Sequence, residues 1–547
     1  MRAEWPSNCS TGSTQLDPVE QFICVTARSL KSVEAQLAQA VQTPTVKRAL
    51  RARYDIDPRL LCVAIAVIAL TLWLRKRKLP EGKRLPPGPK GLPIIGHLLH
   101  RTQVFDHKRC MELAKVYGPV IRFPMGVKDV VILNDYESVK EILSRKEMLF
   151  RSESNVVSQT EYQGIGTLNG DDWKQNRNFC LHVLRDLGFG KKSMEDHILE
   201  EAACLLEKVA ETKEAPFDLE KYLAPSVSNN ITALVFGRRF PFEDQKRKFL
   251  DDRSRRLAKL FQSGSRFTFL PCWVFKITNL LPNATSHLVK EILDELAGFI
   301  SEEIEQHEET LDERSNRDFI DGYLKKMKEH ENDPDAKFKK LNLTGNVLAF
   351  MGGGTHTIKS TVHWHMLNCA DKPDTVQRKI QEEIDKVVGK ERSPRWDDQG
   401  QMPFTMATIM EMYRWRAIAL LAIPREAAAD SVYKDYVIPK GSVVIPNIGA
   451  VHMDPAHWEN PEEFRPERFL KEDGTGLKPK PEQLIPFSVG KRMCPGETLA
   501  TVEIFLYLTT ILQKFTVLPP DGRRIVLQSA SAAVNYPQLQ ELRFISR

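Results

Sequence analysis

Cys494 is the residue of this 547-residue chain whose type and surroundings point most directly to chemistry. It follows a stretch rich in turn-forming residues, and an apolar run of helical period follows it as far as Leu512. This pattern predicts that Cys494 caps a helix, with Pro495 in the first turn, where proline is tolerated. The unpaired N–H groups and the positive dipole end at such a place favour a thiolate, which could act as a nucleophile, a metal ligand or neither.

The neighbours of Cys494 favour a metal ligand. Gly490 and Gly496 stand on either side of it, as they would if a flat, bulky group lay against the main chain, and Arg492 offers a cation to an anionic group. A free cysteine is most often a small buried residue, and Cys494 alone would be interpreted in that way. Together with the two glycines and Arg492, however, Cys494 forms a site that would suit a haem.

The stretch from Phe487 to Gly496 resembles the axial-ligand signature of the cytochromes P450, the haem-thiolate monooxygenases. The matching positions are Phe487, Gly490, Arg492, Cys494 and Gly496. The resemblance implies that haem b, iron protoporphyrin IX, is the cofactor and that Cys494 is the axial ligand of its iron. In that family the thiolate donates electron density to iron and favours O–O cleavage.

Other motifs of the same family follow in the expected order between residues 85 and 547. Trp173 and Arg177 lie one helical turn apart, and the resemblance assigns both to a haem propionate, which an indole N–H and a guanidinium can bind. Without the Cys494 motif, a packed tryptophan beside a surface arginine would be an equally good interpretation. Arg425 takes the place of a further propionate ligand.

The resemblance also implies structural and pocket-lining residues. Glu411 and Arg414 lie one turn apart, a spacing that is often only an exposed ion pair. In the family, an arginine of a second element, here Arg468, meets that pair and locks the fold beside the haem. The uncharged strip from Ala417 to Ile423 and the turn from Ser529 to Val534 are expected to line the pocket above the haem.

The longest predicted helix covers residues 342–370 and contains three consecutive glycines, each of which costs about 1 kcal/mol in a helix. The resemblance identifies it as the helix that crosses the haem. Gly354 then belongs to the groove for dioxygen, and Thr357 is the alcohol that relays protons. His356 stands where the family usually has Asp or Glu. Because histidine titrates near neutrality, His356 either supplies protons or is a plain polar residue.

The chain divides into four segments. We expect residues 1–59 to be a disordered extension, 60–74 a membrane anchor helix, 75–90 a basic and proline-rich hinge, and 91–547 the catalytic domain. As a helix, the anchor would be about 22 Å long, shorter than the bilayer core of about 30 Å, so a buried core helix is the alternative. The basic run from Arg75 to Lys78 and the hinge after it favour the anchor.

Composition excludes several classes of protein. The charged fraction of 27% and the hydrophobic fraction of 42% are typical of a globular protein, and a net charge of +6 without an arginine stripe indicates no nucleic-acid partner. Nine cysteines without a C-x-x-C pair indicate neither a disulfide framework nor a structural zinc site. Helix-like runs and a few strand-like ones, including a hairpin around Gly126, predict a mainly α fold with a minor β-sheet.

The expected function is that of a haem-thiolate monooxygenase of the microsomal animal type, which inserts one oxygen atom of O2 into an apolar small molecule. The resemblance implies the endoplasmic reticulum membrane with the catalytic domain facing the cytosol. Its expected partners are an NADPH-dependent flavoprotein reductase, cytochrome b5 and membrane lipid, since the chain has no nicotinamide or flavin fingerprint of its own. The alternatives are a reductase-independent haem-thiolate isomerase or dehydratase and a non-enzymatic haem-binding protein. The sequence determines neither substrate nor regiochemistry.

Four N-x-S/T sequons offer a check on this topology. They begin at Asn8, Asn230, Asn283 and Asn342. Glycans on the last three would contradict a catalytic domain that faces the cytosol.

Overall fold

The computed structural model describes residues 79–92, 96–97, 106–126, 128–153, 157–187, 192–262, 285–333, 335–530 and 534–547. The residues from Lys78 to Arg547 form one compact unit. The expected extension 1–59 and the expected anchor 60–74 lie outside the described residues. Among the helices of the described part, none is long and apolar enough to cross a membrane.

Within these ranges, thirteen α-helices are the dominant secondary structure, which confirms the mainly α fold. They are α1 (His107–Tyr117), α2 (Tyr136–Leu143), α3 (Gly170–Asp186), α4 (Lys192–Ala210), α5 (Glu220–Phe236), α6 (Gln245–Gln262), α7 (Thr285–Glu309), α8 (Phe319–Glu329), α9 (Lys340–Asp371), α10 (Arg378–Val387), α11 (Pro403–Trp415), α12 (Ile448–His452) and α13 (Glu497–Lys514).

Nine described strands form three small sheets, in the orders β1-β2-β7-β4, β3-β9-β8 and β5-β6. The strands are β1 (Val120–Met125), β2 (Lys128–Leu133), β3 (Phe217–Asp218), β4 (Arg425–Glu426), β5 (Ser431–Tyr433), β6 (Tyr436–Ile438), β7 (Val443–Pro446), β8 (Phe515–Leu518) and β9 (Glu541–Ser546). The predicted hairpin is confirmed: β1 and β2 pair antiparallel, and Gly126 between them has the left-handed φ of 62° that such a turn needs.

The long central helix is confirmed as α9, whose 32 residues contain the three glycines without a break. Gly354 allows α5 to approach it closely, because a Cβ atom at this position would lie 2.4 Å from the Cδ1 atom of Ile231. Twenty-one of the side chains of α9 are buried. A mostly buried helix of this length can hold a catalytic group at a fixed place in the core.

A buried ion-pair network confirms the prediction for Glu411. Its carboxylate lies 2.7 Å from the Nη2 atom of Arg414 and 3.0 Å from the Nε atom of Arg468. Arg414 also donates to the carbonyl oxygens of His452 and Pro461, at 3.0 and 2.8 Å. The network ties α11 to the segment after α12, which leads to the loop that carries Cys494.

Two of the sequon asparagines are buried. Asn230 on α5 is fully buried, and its side-chain amide donates to Glu503 and Tyr507 on α13, at 3.1 and 3.3 Å. Asn342 is 8% exposed and donates to the carbonyl of Gln163 at 2.9 Å. The folded domain leaves no room for a glycan on either side chain. Asn8 and Asn283 lie outside the described residues.

Candidate functional site

The Cys494 loop comes directly before α13. The helix begins at Glu497 and has Gly496 as its N-cap. Contrary to the prediction, Cys494 is therefore not the cap and Pro495 is not in the first turn, and both residues precede the helix. The Cys494 amide donates to the carbonyl of Phe487 at 2.9 Å, and the Gly496 amide donates to the Cys494 Sγ atom at 3.3 Å. The loop therefore closes on itself and turns a main-chain N–H group toward the sulfur.

Cys494 is the exposed free cysteine of the described part of the chain, where the others are buried or half-buried. Desolvation by the surrounding protein nevertheless raises the pKa of its thiol, although the Gly496 amide and the positive charge of Arg177 act in the opposite sense. The end of α13 alone thus does not produce the thiolate that the sequence argument predicted. A metal ion at this thiol would do so, because a coordinating thiol is deprotonated outright.

The two glycines of the loop have different roles. Gly490 has a left-handed φ of 77°, and a Cβ atom there would lie 2.8 Å from the carbonyl oxygen of Leu143 at the end of α2. The turn and the contact with α2 are by themselves enough to require Gly490, and the interpretation that a flat group lies against it stays a prediction. A Cβ atom at Gly496 would lie 3.8 Å from the Cys494 sulfur, an ordinary contact. Phe487 packs edge to face on Tyr413, with ring centroids 5.2 Å apart.

Four arginines beside this loop form what we call the guanidinium cluster. They are Arg151, Arg177, Arg425 and Arg492. Burial, together with the positive charges of the other three, lowers the pKa of Arg492 to about 8. In the described ranges, the hydrogen bonds of the cluster go to main-chain carbonyls and to the Asn169 side chain, and no carboxylate lies within 4 Å of it.

Arg492 and Arg425 hold the loop to the rest of the domain. Arg492 and Arg425 each donate to three main-chain carbonyls, at 2.5–3.4 Å. The acceptors are Leu149, Ile165 and Leu168 for Arg492, and Leu143, Met148 and Val489 for Arg425. Both side chains are almost fully buried. Arg492 thus fixes the loop to the rest of the domain in addition to placing a positive charge beside it.

Arg151 was missed by the sequence analysis. Its Nη1 atom donates to the carbonyls of Ile423 and Pro424, at 2.8 and 2.7 Å, while its Nε atom is buried without a partner. Burial lowers its pKa to about 9. No local motif marks Arg151. The bridge between Phe150 and Glu426 brings it beside Arg425, and that pairing is not visible in the sequence.

Trp173 and Arg177 lie on α3, as predicted, and both face the cluster. The Trp173 side chain is 6% exposed, its Nε1 atom is buried without a partner, and its ring lies 3.8 Å from the Cζ atom of Arg492. Arg177 donates to the carbonyl of Met493 at 2.7 Å. An unpartnered indole N–H beside uncompensated guanidinium groups is suited to an anion. The residues present therefore fit the propionate side of a haem, and Cys494 fits its iron.

One face of α9 is open although the helix is mostly buried. Gly352, Gly353 and Thr357 are exposed, and Cβ atoms at the two glycines would meet nothing within 4 Å. The Thr357 hydroxyl donates to the carbonyl of Gly353 at 2.7 Å, so its lone pairs are left to accept. Gly354, in contrast, packs against α5. The contacts of Gly354 are therefore those of helix packing. The open surface of α9 lies at Gly352 and Gly353.

His356 faces α6. One of its ring nitrogens lies 3.2 Å from the carbonyl of Ser254. Burial lowers its pKa to about 4, and the nearby charge of Lys359 acts in the same direction. The imidazole is therefore neutral at pH 7, which favours the alternative of a plain polar residue over a group that titrates near neutrality. Lys359 itself forms an ion pair of 2.5 Å with Glu220 on α5.

Comparison with known proteins gives the same result as the site. A family model described as Cytochrome P450 matches residues 86–543. Cytochrome P450 2G1 of Oryctolagus cuniculus is 37% identical over 490 residues, which cover 89% of this chain and 98% of that protein. Cytochrome P450 2H2 of Gallus gallus is 36% identical over 498 residues, with 89% and 98% covered. Cytochrome P450 2A6 of Homo sapiens is 35% identical over 461 residues, with 83% and 91% covered.

Proposed function

Because the chain belongs to the cytochrome P450 family, we propose that it inserts one oxygen atom of O2 into an apolar small molecule, with electrons from NADPH through a flavoprotein reductase. The protein is a haem-thiolate monooxygenase, an oxidoreductase whose cofactor is haem b with a cysteine thiolate as axial ligand. When bound, haem b supplies the one-electron and dioxygen chemistry that the side chains of a protein lack.

Cys494 is the proposed axial ligand. The observation that carries this proposal is the position of an exposed thiol close to Arg177, one of four neighbouring guanidinium groups that lack a carboxylate partner. The guanidinium cluster and the Trp173 indole would hold the two propionates. Phe487, Gly490 and Gly496 would shape the loop and keep the sulfur in place.

On the other side of the site, we assign proton delivery to Thr357. Its hydroxyl donates to Gly353, so its oxygen can accept a hydrogen bond from a water and would hold that water in the place from which the water gives up its own proton. His356 is neutral at pH 7, and its role in this scheme is to hold α9 to α6 through Ser254. Gly354 would act by allowing the close approach of α5.

The apolar substrate is expected to lie against the strip from Ala417 to Ile423, where Ile423 is 62% exposed. The reductase, and cytochrome b5 as a second donor, would dock on the side of the Cys494 loop, where Lys491 is exposed. We place the protein at the endoplasmic reticulum membrane, anchored in the lipid by residues 60–74, with the catalytic domain in the cytosol.

A reductase-independent isomerase or dehydratase is the second candidate. It is favoured by the neutral His356 in the place where the family usually has an acid, and disfavoured by the exposed Thr357 hydroxyl. NADPH-dependent oxygen uptake in a mixture with reductase, substrate and lipid separates the two. We expect uptake that matches product formation. Turnover of a peroxide without any NADPH-dependent oxygen uptake would contradict the proposed monooxygenase.

The ferrous carbonyl spectrum tests the site itself. We expect a thiolate-type spectrum for the native protein and for the control Cys204→Ser, whose cysteine is half-buried and lies on α4. Cys494→His is expected to change the spectrum to the imidazole type, because nitrogen then replaces sulfur as the ligand. If Cys494→His kept the native spectrum, another residue would be the ligand.

A further inference from the structure

Two short segments near the C-terminus, which we call the C-terminal arms, run antiparallel to each other. They comprise residues 527–530 and 534–538. The amide of Ala530 donates to Tyr536 at 2.8 Å, the amide of Gln538 donates to Gln528 at 3.2 Å, and Ser529 bridges to Pro537. They flank the turn that the sequence analysis expects to line the pocket. Their position therefore bears on the shape of that pocket.

Trp364 connects the second arm to the central helix. It lies two turns after Thr357 on α9, so the two residues share a face of the helix. Its side chain is fully buried, and its Nε1 atom donates to the carbonyl of Asn535 at 2.8 Å. The amide of Asn535 in turn donates to the carbonyl of Ile418, in the strip expected to form another pocket wall, at 2.9 Å.

Arg416 connects the first arm to the same place. Its Nη2 atom donates to the carbonyl of Leu527 at 3.1 Å. Its Cζ atom lies 3.4 Å from the ring centroid of Trp415 and 5.3 Å from that of Trp364, so the guanidinium is stacked on one indole and close to the other. No carboxylate of the described chain lies within 4 Å of Arg416. Because partial burial of a charge without an ion pair is costly, the guanidinium must be stabilised by its other contacts, the stacking and the hydrogen bonds to main-chain carbonyls.

We propose that Arg416 and Trp364 form a clamp that fixes the C-terminal arms against α9 and thereby determines which part of a bound molecule faces the haem. Each residue donates a hydrogen bond to a main-chain carbonyl of one arm. The guanidinium of Arg416 lies close to the Trp364 ring, which links the two residues. Arg416 is a positioning residue in this scheme. The inference rests on the proposed function and on the expectation from the sequence that the turn between the arms lines the pocket.

The test uses the full-length, haem-loaded protein in three variants. Arg416→Lys keeps the charge but loses the planar group that stacks and donates. Trp364→Phe keeps a ring but loses the Nε1 donor, and it serves as the second variant if Arg416→Lys does not bind haem. Arg378→Lys is the matched control, because Arg378 is exposed and forms a surface pair with Glu382.

The first measurement is the rate of hydrogen exchange at the amides of Ala530, Asn535 and Gln538. We expect exchange about tenfold faster in Arg416→Lys and Trp364→Phe, which corresponds to the loss of about one hydrogen bond, and no change in Arg378→Lys. Unchanged exchange in both clamp variants would overturn the clamp. This measurement does not depend on the thiolate ligand or on turnover.

The second measurement is the ratio of the dissociation constants of 1-phenylimidazole and 4-phenylimidazole, followed by the optical shift when the azole nitrogen binds the iron. The two probes place the phenyl ring in different directions, so the ratio reports the shape of the pocket. We expect it to change by about threefold or more in both clamp variants and to stay constant in Arg378→Lys. Faster exchange with an unchanged ratio would overturn the role in ligand orientation. A parent protein without a thiolate-type carbonyl spectrum would instead contradict the proposed function.

Discussion

Two groups of arginines in this protein differ in burial and in what balances their charge: Arg151 and Arg177 of the guanidinium cluster are only half-buried. Arg414 and Arg468 share the Glu411 carboxylate, and all three side chains are at least nine-tenths buried. The guanidinium cluster holds four arginines against main-chain carbonyls, with no carboxylate in the described ranges. The first group has its counter-ion within the chain, whereas the second lacks one in the described residues.

The difference separates a structural device from a binding site. A buried charge is costly unless it is paired, so a cluster without an internal counter-ion lowers the stability of the chain until an anion binds. The Glu411 network should therefore matter for the stability of the chain with or without haem. The guanidinium cluster should matter chiefly for the retention of haem. The predictions below test this distinction.

The largest effect is expected for Glu411→Gln. The substitution leaves Arg414 and Arg468 buried without their carboxylate, which should lower the free energy of unfolding by about 3–5 kcal/mol. Urea unfolding of the haem-loaded protein measures it. The control Glu382→Gln, in an exposed pair with Arg378, should cost about 0.5 kcal/mol or less. Equal effects of the two substitutions would contradict the structural role of Glu411.

Arg151→Gln should have the opposite pattern. It removes one uncompensated charge, so the haem-free protein should be as stable as the parent or more stable. Haem should bind about 10–100-fold more weakly, because a hydrogen bond to a charged group contributes about 1.5–3 kcal/mol. The rate of haem transfer to apomyoglobin measures retention. A haem-free protein that is strongly destabilised would show that Arg151 is mainly structural.

His365 offers a third case, a buried side chain that has no hydrogen-bond partner and is also uncharged. It is fully buried on α9, neither ring nitrogen has a partner, and burial lowers its pKa to about 3. Below pH 6.5 this histidine binds a proton in the unfolded chain but not in the folded chain. The free energy of unfolding should therefore decrease by about 1.4 kcal/mol for each unit by which the pH is lowered, down to about pH 3. His365→Leu should remove this part of the slope, measured by urea unfolding at pH 5.5 and 7. The exposed control His182→Leu should keep it.

The smallest effect is expected for Trp173→Phe. The buried Nε1 atom has no partner within the chain, so the haem-free protein should lose little stability. Haem should bind about fivefold more weakly, the equivalent of one hydrogen bond of about 1 kcal/mol. Haem transfer measures this as well. A weakening as large as that of Arg151→Gln would mean that the indole also positions Arg492, on which it is stacked.

The sequence predicted the parts of the site that local spacing encodes. Cys494, Arg492 and Phe487 stand within ten residues, and Trp173 and Arg177 are one turn apart, so a motif or a helical period brings each set together. The network around Glu411 was also predicted, through the resemblance to a family. These features depend on contacts along one element or on a known pairing.

Tertiary contacts decided the rest. Arg151 joins the cluster only through a strand bridge to Glu426, 276 positions along the chain from Phe150. Gly490 and Gly354 are needed for packing against α2 and α5, which no local pattern reveals. The neutral state of His356 depends on burial under α6, so its titration could not be predicted from residue type.

The burial of Asn230 and Asn342 has a consequence for how the chain can be made. Oligosaccharides are attached to sequons during synthesis, before a domain has closed, and a sugar on Asn230 would stand between α5 and α13. A nascent chain modified at this position could not form the contact between α5 and α13, the helix that follows the Cys494 loop. Maturation of this domain therefore requires that oligosaccharyltransferase never modifies Asn230, and the synthesis route is constrained by the core itself.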